Sequence, residues 1–421
     1  MRLYNSYSQQ LEQFQPQDED APVSIYVCGI TPYDTTHLGH AFTYTVADIL
    51  IRYLEYQGRR VRYVQNVTDI DDDILRQADE EGEDWHALGN RWTRHFIQDM
   101  QTLNVRPPEF FPRATTVIPQ IIEMVQGLLE AGVAYTAAGN VYFQISRWPD
   151  FGQLSHLPRV EMLPVANERG NDPDDPHKRD PLDFVLWQAQ HPGEPAWSSP
   201  WGMGRPGWHI ECSTMATHWL GKTIDIHMGG ADLLFPHHEC EIAQVTPVTH
   251  QPFARYWLHT AMVRQAGEKM SKSLGNLVMV RDLLQHYSPN ALRLYLGQHH
   301  YRQPWSYAED ELAQAGQLAG QIEQAVNHVD NERMADEHTP LEIGVLERAF
   351  VAALDEDLQT PQALEVIGAL TEKILQAADD GRSVTQAQQT LRTCCQVFGL
   401  YFTDTPPSAT GWMRHLKDFA E

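Results

Sequence analysis

Two histidines three residues apart, His37 and His40, follow an apolar run that ends in a cysteine, Ile25-Tyr26-Val27-Cys28-Gly29-Ile30-Thr31. The run reads as a strand, Gly29 and Pro32 as a turn region, and the histidines as the opening of a helix. A helix N-terminus after a strand and turn points backbone N–H groups at a polyanion. A thiol at the strand end is a candidate metal ligand at the same mouth. Taken alone, the stretch is equally well a buried strand cysteine beside two surface histidines.

Other separated residues extend the metal reading. Cys28, Cys212, His237 and Glu241 together supply two thiolates, an imidazole and a carboxylate. His237 and Glu241 are four apart, so on a helix they share a face. Such a set suits tetrahedral Zn²⁺, which prefers thiolate and imidazole. His238, Glu239 and Cys240 compete for the same role, and the sequence does not choose between them. Unrelated buried cysteines are the alternative. A second cluster, Glu268-Lys269-Met270-Ser271-Lys272-Ser273-Leu274-Gly275-Asn276, places two lysines three apart among serines and a glycine. As a mobile unit it can neutralise charge developing on a triphosphate leaving group. By itself it is also an ordinary solvated basic turn.

The elements that must position these groups are legible in outline. Val46, Ile49, Leu50, Tyr53 and Leu54 form one face of an amphipathic helix, with Gly58 as its C-terminal stop. A strand at Val61 to Val64 completes a βαβ unit, which predicts a parallel sheet and an α/β fold. The acidic run Asp69 to Asp73 reads as a helix cap rather than a divalent-ion site, because Ile74, Leu75 and Ala78 start a helical pattern behind it. Ile118, Ile121, Ile122, Val125, Leu128 and Leu129 predict another helix, and Asn140 to Ile145 a strand. Arg159 to Pro181 predicts loop from its Asp, Asn, Gly and Pro content. Residues 1–22 read as a lead-in. Beyond Asn276 the chain turns helical, with long amphipathic segments at Leu312 to Val329, Leu341 to Leu354 and Leu364 to Ala378.

Composition sets the bounds. With 421 residues, 42% hydrophobic and 21% charged, the chain has the make-up of a soluble protein of two or three domains. No apolar run approaches the roughly 18 residues a bilayer span needs, and the N-terminus lacks a signal peptide's apolar core, so cytoplasm is the expected compartment. Five scattered cysteines speak against a disulfide framework. A net charge of −25 disfavours a generic nucleic-acid binder.

His37-Leu38-Gly39-His40 and Lys269-Met270-Ser271-Lys272-Ser273, in that order, resemble the paired signatures of class I aminoacyl-tRNA synthetases. Tyr26 to Thr31, Asn66-Val67-Thr68-Asp69-Ile70-Asp71-Asp72, Gly207-Trp208-His209-Ile210-Glu211-Cys212 and Phe235-Pro236-His237-His238-Glu239 are similar to the cysteine-activating members. The resemblance covers the chain from about Tyr26 to Leu400. It implies a Rossmann-like catalytic domain split over 1–104 and 199–265, an inserted subdomain at 105–198, a connecting region at 266–310 and an α-helical C-terminal domain at 311–421. It also implies Zn²⁺ on Cys28, Cys212, His237 and Glu241, and Mg²⁺ arriving with ATP. Catalytic roles fall to His37, His40, Lys269 and Lys272. ATP would lie against Gly29, Ile30, Thr31, Gly39, Thr43, Asn66, Val67, Thr68, Trp208, Gly230, Ala231, Asp232 and Val263, and against the segment Lys269, Met270, Ser271, Lys272 and Ser273.

Two branches share these motifs: cysteinyl-tRNA synthetase and the mycothiol-pathway ligase that joins cysteine to glucosaminyl-inositol. Glu168-Arg169-Gly170-Asn171-Asp172-Pro173 resembles the ligase branch's Glu-Arg-Gly-Gly-Asp-Pro, with Asn171 in place of a glycine, and Asp174 to Asp183 matches it too. The chain also ends soon after the helical segments. On these grounds the expected partners are L-cysteine and glucosaminyl-inositol, with tRNA disfavoured and the protein a monomer. His227 and Glu241 pull toward the synthetase. Met228 and Ala231 depart from the Gly-Gly-Gly-Ser-Asp pattern of both. A non-catalytic binding protein on the same fold would have no need of a leaving-group clamp.

Overall fold

The computed structural model describes residues 1–33, 35–270, 274–329 and 341–419. Its centre is a four-stranded parallel sheet in the order Ala254–Thr260, Ile224–Gly230, Val23–Ile30, Val61–Val67. The strand Val23–Ile30 is covered on both faces, which explains its nearly unbroken apolar run. From it the chain passes through the helix Leu38–Tyr56 to Val61–Val67 on one side, and Ile224–Gly230 pairs on the other. The crevice beyond the carboxyl ends of these two central strands is where an open α/β sheet binds ligands. The helix buries Ala41, Phe42, Val46, Ile49, Leu50, Tyr53 and Leu54, and ends as expected, with Gly58 in the left-handed region at φ 82°.

The acidic run behaves as a cap. The Asp71 carboxylate accepts from the Asp73 N–H at 2.6 Å and opens the helix Asp72–Glu81, while Asp69 accepts from the Thr115 backbone and hydroxyl. Residues 1–22 are more than a lead-in. Strands Arg2–Asn5 and Gln10–Gln13 form a hairpin that covers the sheet edge, with Ser6 N–H donating to the Trp257 carbonyl and the Asn5 amide to that of Arg255.

The insertion carries a five-stranded antiparallel sheet ordered Ala134–Ala137, Asn140–Phe143, Phe184–Ala189, Gly202–Pro206, Trp197–Ser199. Its last pair runs past residue 198, where the sequence reading closed the insertion, because Trp197–Ser199 turns straight back onto Gly202–Pro206. Within Arg159 to Pro181, read as loop throughout, Arg159–Asn167 is a helix. Met162 and Ala166, four apart, are buried, a spacing masked by Pro164 and the polar residues after it.

Two hydrophobic cores flank the sheet. One joins the Leu38–Tyr56 helix to the C-terminal helices Glu309–Asn327, Gly344–Asp355, Thr360–Asp379 and Thr385–Val397; the other runs into the insertion. The last helix, Ala409–Lys417, returns to the catalytic half and packs on Trp85–Thr102. There Trp412 is fully buried and donates from Nε1 to the Val105 carbonyl at 2.7 Å. Among the described residues no helix is long and apolar enough to cross a membrane.

Candidate active site

Cys28 lies two residues before the end of its strand, Val23–Ile30, at the crevice. Cys212 enters from the helix Trp208–Leu220, and His237 and Glu241 from the turn Leu234–His238 and the helix Glu239–Thr249 that follows it. Their ligand atoms all lie within 4.8 Å of one another, and all four residues are buried. Cys28 Sγ is 3.9 Å from Cys212 Sγ and 3.7 Å from Glu241 Oε1, and His237 Nε2 is 3.2 Å from the same oxygen. The four-residue spacing thus works as expected, although Phe235 breaks the helical path just upstream. Two of the three competing ligands fall away. Glu239 turns to the insertion and accepts from the Leu154 and Ser155 N–H groups, and Cys240 packs in the core.

A second donor group, Cys28, His227, His238 and Glu241, overlaps the first. His227 Nε2 is 3.0 Å from Glu241 Oε2, and its ring stacks on Trp257. His238 Nε2 is 3.3 Å from Cys28 Sγ, while its Nδ1 is 2.8 Å from His259 Nε2; His259 Nδ1 in turn is 2.8 Å from Ser6 Oγ. His227 and His238 thus form, with Cys28 and Glu241, a second set able to hold a metal ion, and the two sets share the Cys28 thiol and the Glu241 carboxylate. The sequence reading missed His259 and Ser6 altogether. No spacing pattern links a strand at 254–260 to a hairpin loop at residue 6.

Burial sets the electrostatics. It pushes the Cys28 thiol well above its usual range, with the neighbouring Cys212 and then Glu241 adding to the effect. The Glu241 carboxyl is raised in the same way, and the His237 imidazole is held well below its ordinary value. Two cysteines, a carboxyl and an imidazole in a buried pocket form a set that a soft divalent cation satisfies, since it replaces the protons that burial retains on Cys28 and Glu241. The Trp208 ring lies over His237 at 4.4 Å between centroids.

The nucleotide side is built next to it. His37 caps the Leu38–Tyr56 helix, its Nδ1 accepting from Gly39 N–H at 3.1 Å, and its ring stacks on His40 at 3.8 Å. Burial holds His37 down to about 4, against the pull of Asp232, and burial with the neighbouring His37 lowers His40 well below its ordinary value, which favours neutral rings. A Cβ on Gly39 would stand 2.9 Å from the His37 ring. Gly29 N–H donates to Asn66 Oδ1 at 2.7 Å, and the Asn66 amide reaches Thr68 Oγ1 at 3.2 Å. Ile30 pairs with Val67, and Tyr33 N–H closes on the Thr31 carbonyl. Thr43 and Thr260 hydroxyls meet at 2.6 Å. Ala231 N–H donates to the Thr260 carbonyl, in the turn that carries Gly230 and Asp232. Met228, one of the departures, is buried in the core.

Lys269 ends an exposed two-residue strand paired with Val263–Gln265, and Met270 is buried. Ser271, Lys272 and Ser273 lie outside the described residues. The chain beyond them is joined to the histidine segment, with Leu38 N–H donating to the Val278 carbonyl and Val280 N–H to that of Thr36. The segment Val278–Val280, downstream of the lysine signature, is therefore a neighbour of the histidine segment.

Residues 13–317 match the family of tRNA synthetases class I (C), catalytic domain, and residues 349–403 match the DALR domain. Proteins named Cysteine--tRNA ligase are similar over nearly the whole chain. That of Dehalococcoides mccartyi is 42% identical over 97% of this chain and 88% of its own length, and that of Thermococcus onnurineus 43% identical over 95% and 86%. The chain belongs to the cysteine–tRNA ligase family. Among solved structures, Mycobacterium tuberculosis methionyl-tRNA synthetase in complex with methionyl-adenylate superposes with a TM-score of 0.63 at 17% identity, covering 90% of this chain and 89% of that one. A LeuRS–tRNA–LeuAMS complex from Agrobacterium radiobacter K84 gives 0.64 at 11%, covering 97% and 86%. These share the fold. The family member described here is an ATP-dependent, AMP-forming ligase with a class I catalytic domain.

One expectation is overturned. The aminosugar acceptor, glucosaminyl-inositol, and with it the mycothiol assignment and the disfavouring of tRNA, gives way to relatives named Cysteine--tRNA ligase that match along 85–88% of their own length. Three side chains of the motif behind that expectation bond within the protein. Arg169 donates to the Asp232 and Phe235 carbonyls, and Asn171 and Lys178 bond to each other at 2.7 Å.

Proposed function

We propose that this enzyme activates L-cysteine with ATP to cysteinyl-adenylate and passes the cysteinyl group to a tRNA. The observation that carries the reading is the convergence of Cys28, Cys212, His237 and Glu241 within 4.8 Å, beside the stacked His37 and His40. Those four residues fit Zn²⁺, which when bound supplies a soft centre that takes the substrate thiol as thiolate and passes over a serine hydroxyl. Trp208 and the histidines behind Cys28 and Glu241 keep that pocket buried and fixed. His37 and His40, neutral and preorganised at the helix N-terminus, lie along the triphosphate, with Gly29 and Gly39 admitting the nucleotide closely. Lys269 and Lys272 neutralise the charge on the pyrophosphate as the cysteine carboxylate displaces it, with Mg²⁺ accompanying ATP. A ribose hydroxyl of the tRNA then attacks the adenylate carbonyl and releases AMP. The relatives' names and the DALR match in the C-terminal helices favour tRNA as that acceptor.

Zinc-loaded protein is expected to catalyse cysteine-dependent ATP–pyrophosphate exchange and to cysteinylate tRNA, with serine a poor substrate in both assays. Exchange without any tRNA product would reject the acceptor, and no exchange would reject the reading altogether.

A further inference from the structure

The insertion reaches the active site at two places. The Leu154 and Ser155 N–H groups donate to the Glu239 carboxylate, and Arg169 donates from one guanidinium nitrogen to both the Asp232 and Phe235 carbonyls. These two carbonyls bound a short link with a functional residue at each end. At one end Asp232 belongs to the nucleotide turn, its carboxylate folded over Gly230 so that a Cβ there would sit 2.4 Å from Oδ1. At the other, His237 follows Phe235 by two residues. Phe235 is extended, at φ −141° and ψ 135°, so the link is not held by helical hydrogen bonds at that point.

Arg169 is itself braced. Its own N–H donates to the Ala166 carbonyl at the end of the Arg159–Asn167 helix. Asn171 is joined to Asn167 Oδ1 at 2.7 Å and to the Pro181 carbonyl at 3.1 Å, and it receives Lys178 Nζ at 2.7 Å. A glycine at position 171 would make none of these side-chain bonds. A permanently charged guanidinium suits such bridging, because a charge-assisted bond from one nitrogen to each carbonyl holds two backbone points in one geometry.

We propose that Arg169 is a positioning residue that sets the nucleotide and cysteine subsites as one unit, by fixing the link between Asp232 and His237 from the insertion. The inference rests on the function proposed above. Its test compares full-length wild type, Arg169→Ala, Arg169→Lys and Asn171→Gly, with zinc content and thermal stability measured alongside pyrophosphate-exchange kinetics. In Arg169→Ala the KM values for ATP and for cysteine should rise together, each by about tenfold, at unchanged zinc stoichiometry. Arg169→Lys should recover part of both, and Asn171→Gly should shift both in the same direction by less. A loss of stability with both KM values within about twofold of wild type, or a rise confined to one substrate, would overturn the proposal. If wild type shows no cysteine-dependent exchange, the functional reading fails instead. Arg169 is then judged by direct ATP binding, where a weakening of about tenfold in Arg169→Ala upholds its hold on the nucleotide turn and unchanged affinity refutes it.

Discussion

At the residue scale the molecule depends on four side chains of three types meeting from three parts of the chain. Each alone would be an ordinary buried residue. Cys212 is the most informative of them, because its thiol is 3.9 Å from Cys28 Sγ and it has no competing partner outside the cluster in the second donor group. Cys212→Ala is expected to lose bound zinc and to lower cysteine-dependent exchange by at least about 100-fold while keeping the fold, because removal of even an outer partner of a metal site costs about 10–100-fold. Metal analysis beside exchange kinetics checks this. Full zinc content with normal turnover would take Cys212 out of the ligand set. Cys28, Cys212, His237 and Glu241 could be nominated from the sequence because cysteine and histidine are scarce and stood in recognisable motifs. That both His237 and His238 reach the Cys28–Glu241 pair, while Glu239 turns away, could not. It depends on which way each side chain leaves the turn before the Glu239–Thr249 helix.

At the element scale the deciding contact is between two parallel strands. Pairing between Val23–Ile30 and Val61–Val67 is irregular from Val27 to Ile30, and Gly29 sits in that interval. A Cβ at this position would lie 1.6 Å from the Asn66 carbonyl oxygen, a distance no side-chain adjustment relieves. Glycine there lets the strand end come close to the Asn66–Thr68 segment, which places Cys28 and the nucleotide wall in one crevice. Gly29→Ala should destabilise the protein by about 3 kcal/mol, read from denaturant unfolding, since overpacking against backbone costs about 1–3 kcal/mol or more. A loss under about 1 kcal/mol would mean that the strands slide apart easily and that the close approach is incidental. The sequence showed this βαβ unit well, through Val46 to Leu54 and the strand at Val61. It hid the helix Arg159–Asn167, whose two buried positions are too few to outweigh proline and polar neighbours.

At the scale of the whole molecule, the helix that begins at His37 is tied to the C-terminal helices by one buried cation. Arg293, fully buried, donates from Nε to the Phe398 carbonyl at 2.6 Å and from Nη1 to the Leu103 carbonyl at 2.7 Å, and it pairs through Nη2 with Asp48. Asp48, equally buried, also takes Arg52 at 2.9 Å and the Arg106 N–H at 2.8 Å. Burial alone would raise its carboxyl, but Arg52 and Arg293 outweigh that and hold it below the usual range. Arg293→Met strips three bonds and leaves a buried carboxylate short of charge, for an expected loss of about 3–5 kcal/mol. Adding Asp48→Asn should recover part of it, in a double-mutant cycle read by thermal unfolding. A neutral Arg293→Met would show that the domains are held by their apolar contact alone.

The sequence by itself determined the sheet-forming half, the helical C-terminus, the candidate metal residues and the activation of cysteine, because each is encoded in short-range periodicity or in a motif of chemically distinctive residues. It led the acceptor astray, since Glu168 to Asp183 resembles a ligand-binding motif while its side chains bond to their own loop and to the Asp232–Phe235 link. The relatives corrected that; only the tertiary structure decided the histidines behind Cys28 and Glu241, the Arg169 bonds to the Asp232–Phe235 link, the seat of the 2–13 hairpin on the sheet edge and the Arg293 tie. All of these are hydrogen bonds between segments far apart in the chain. A side chain's type predicts that it needs a partner, but which partner it finds depends on where the packed elements bring it.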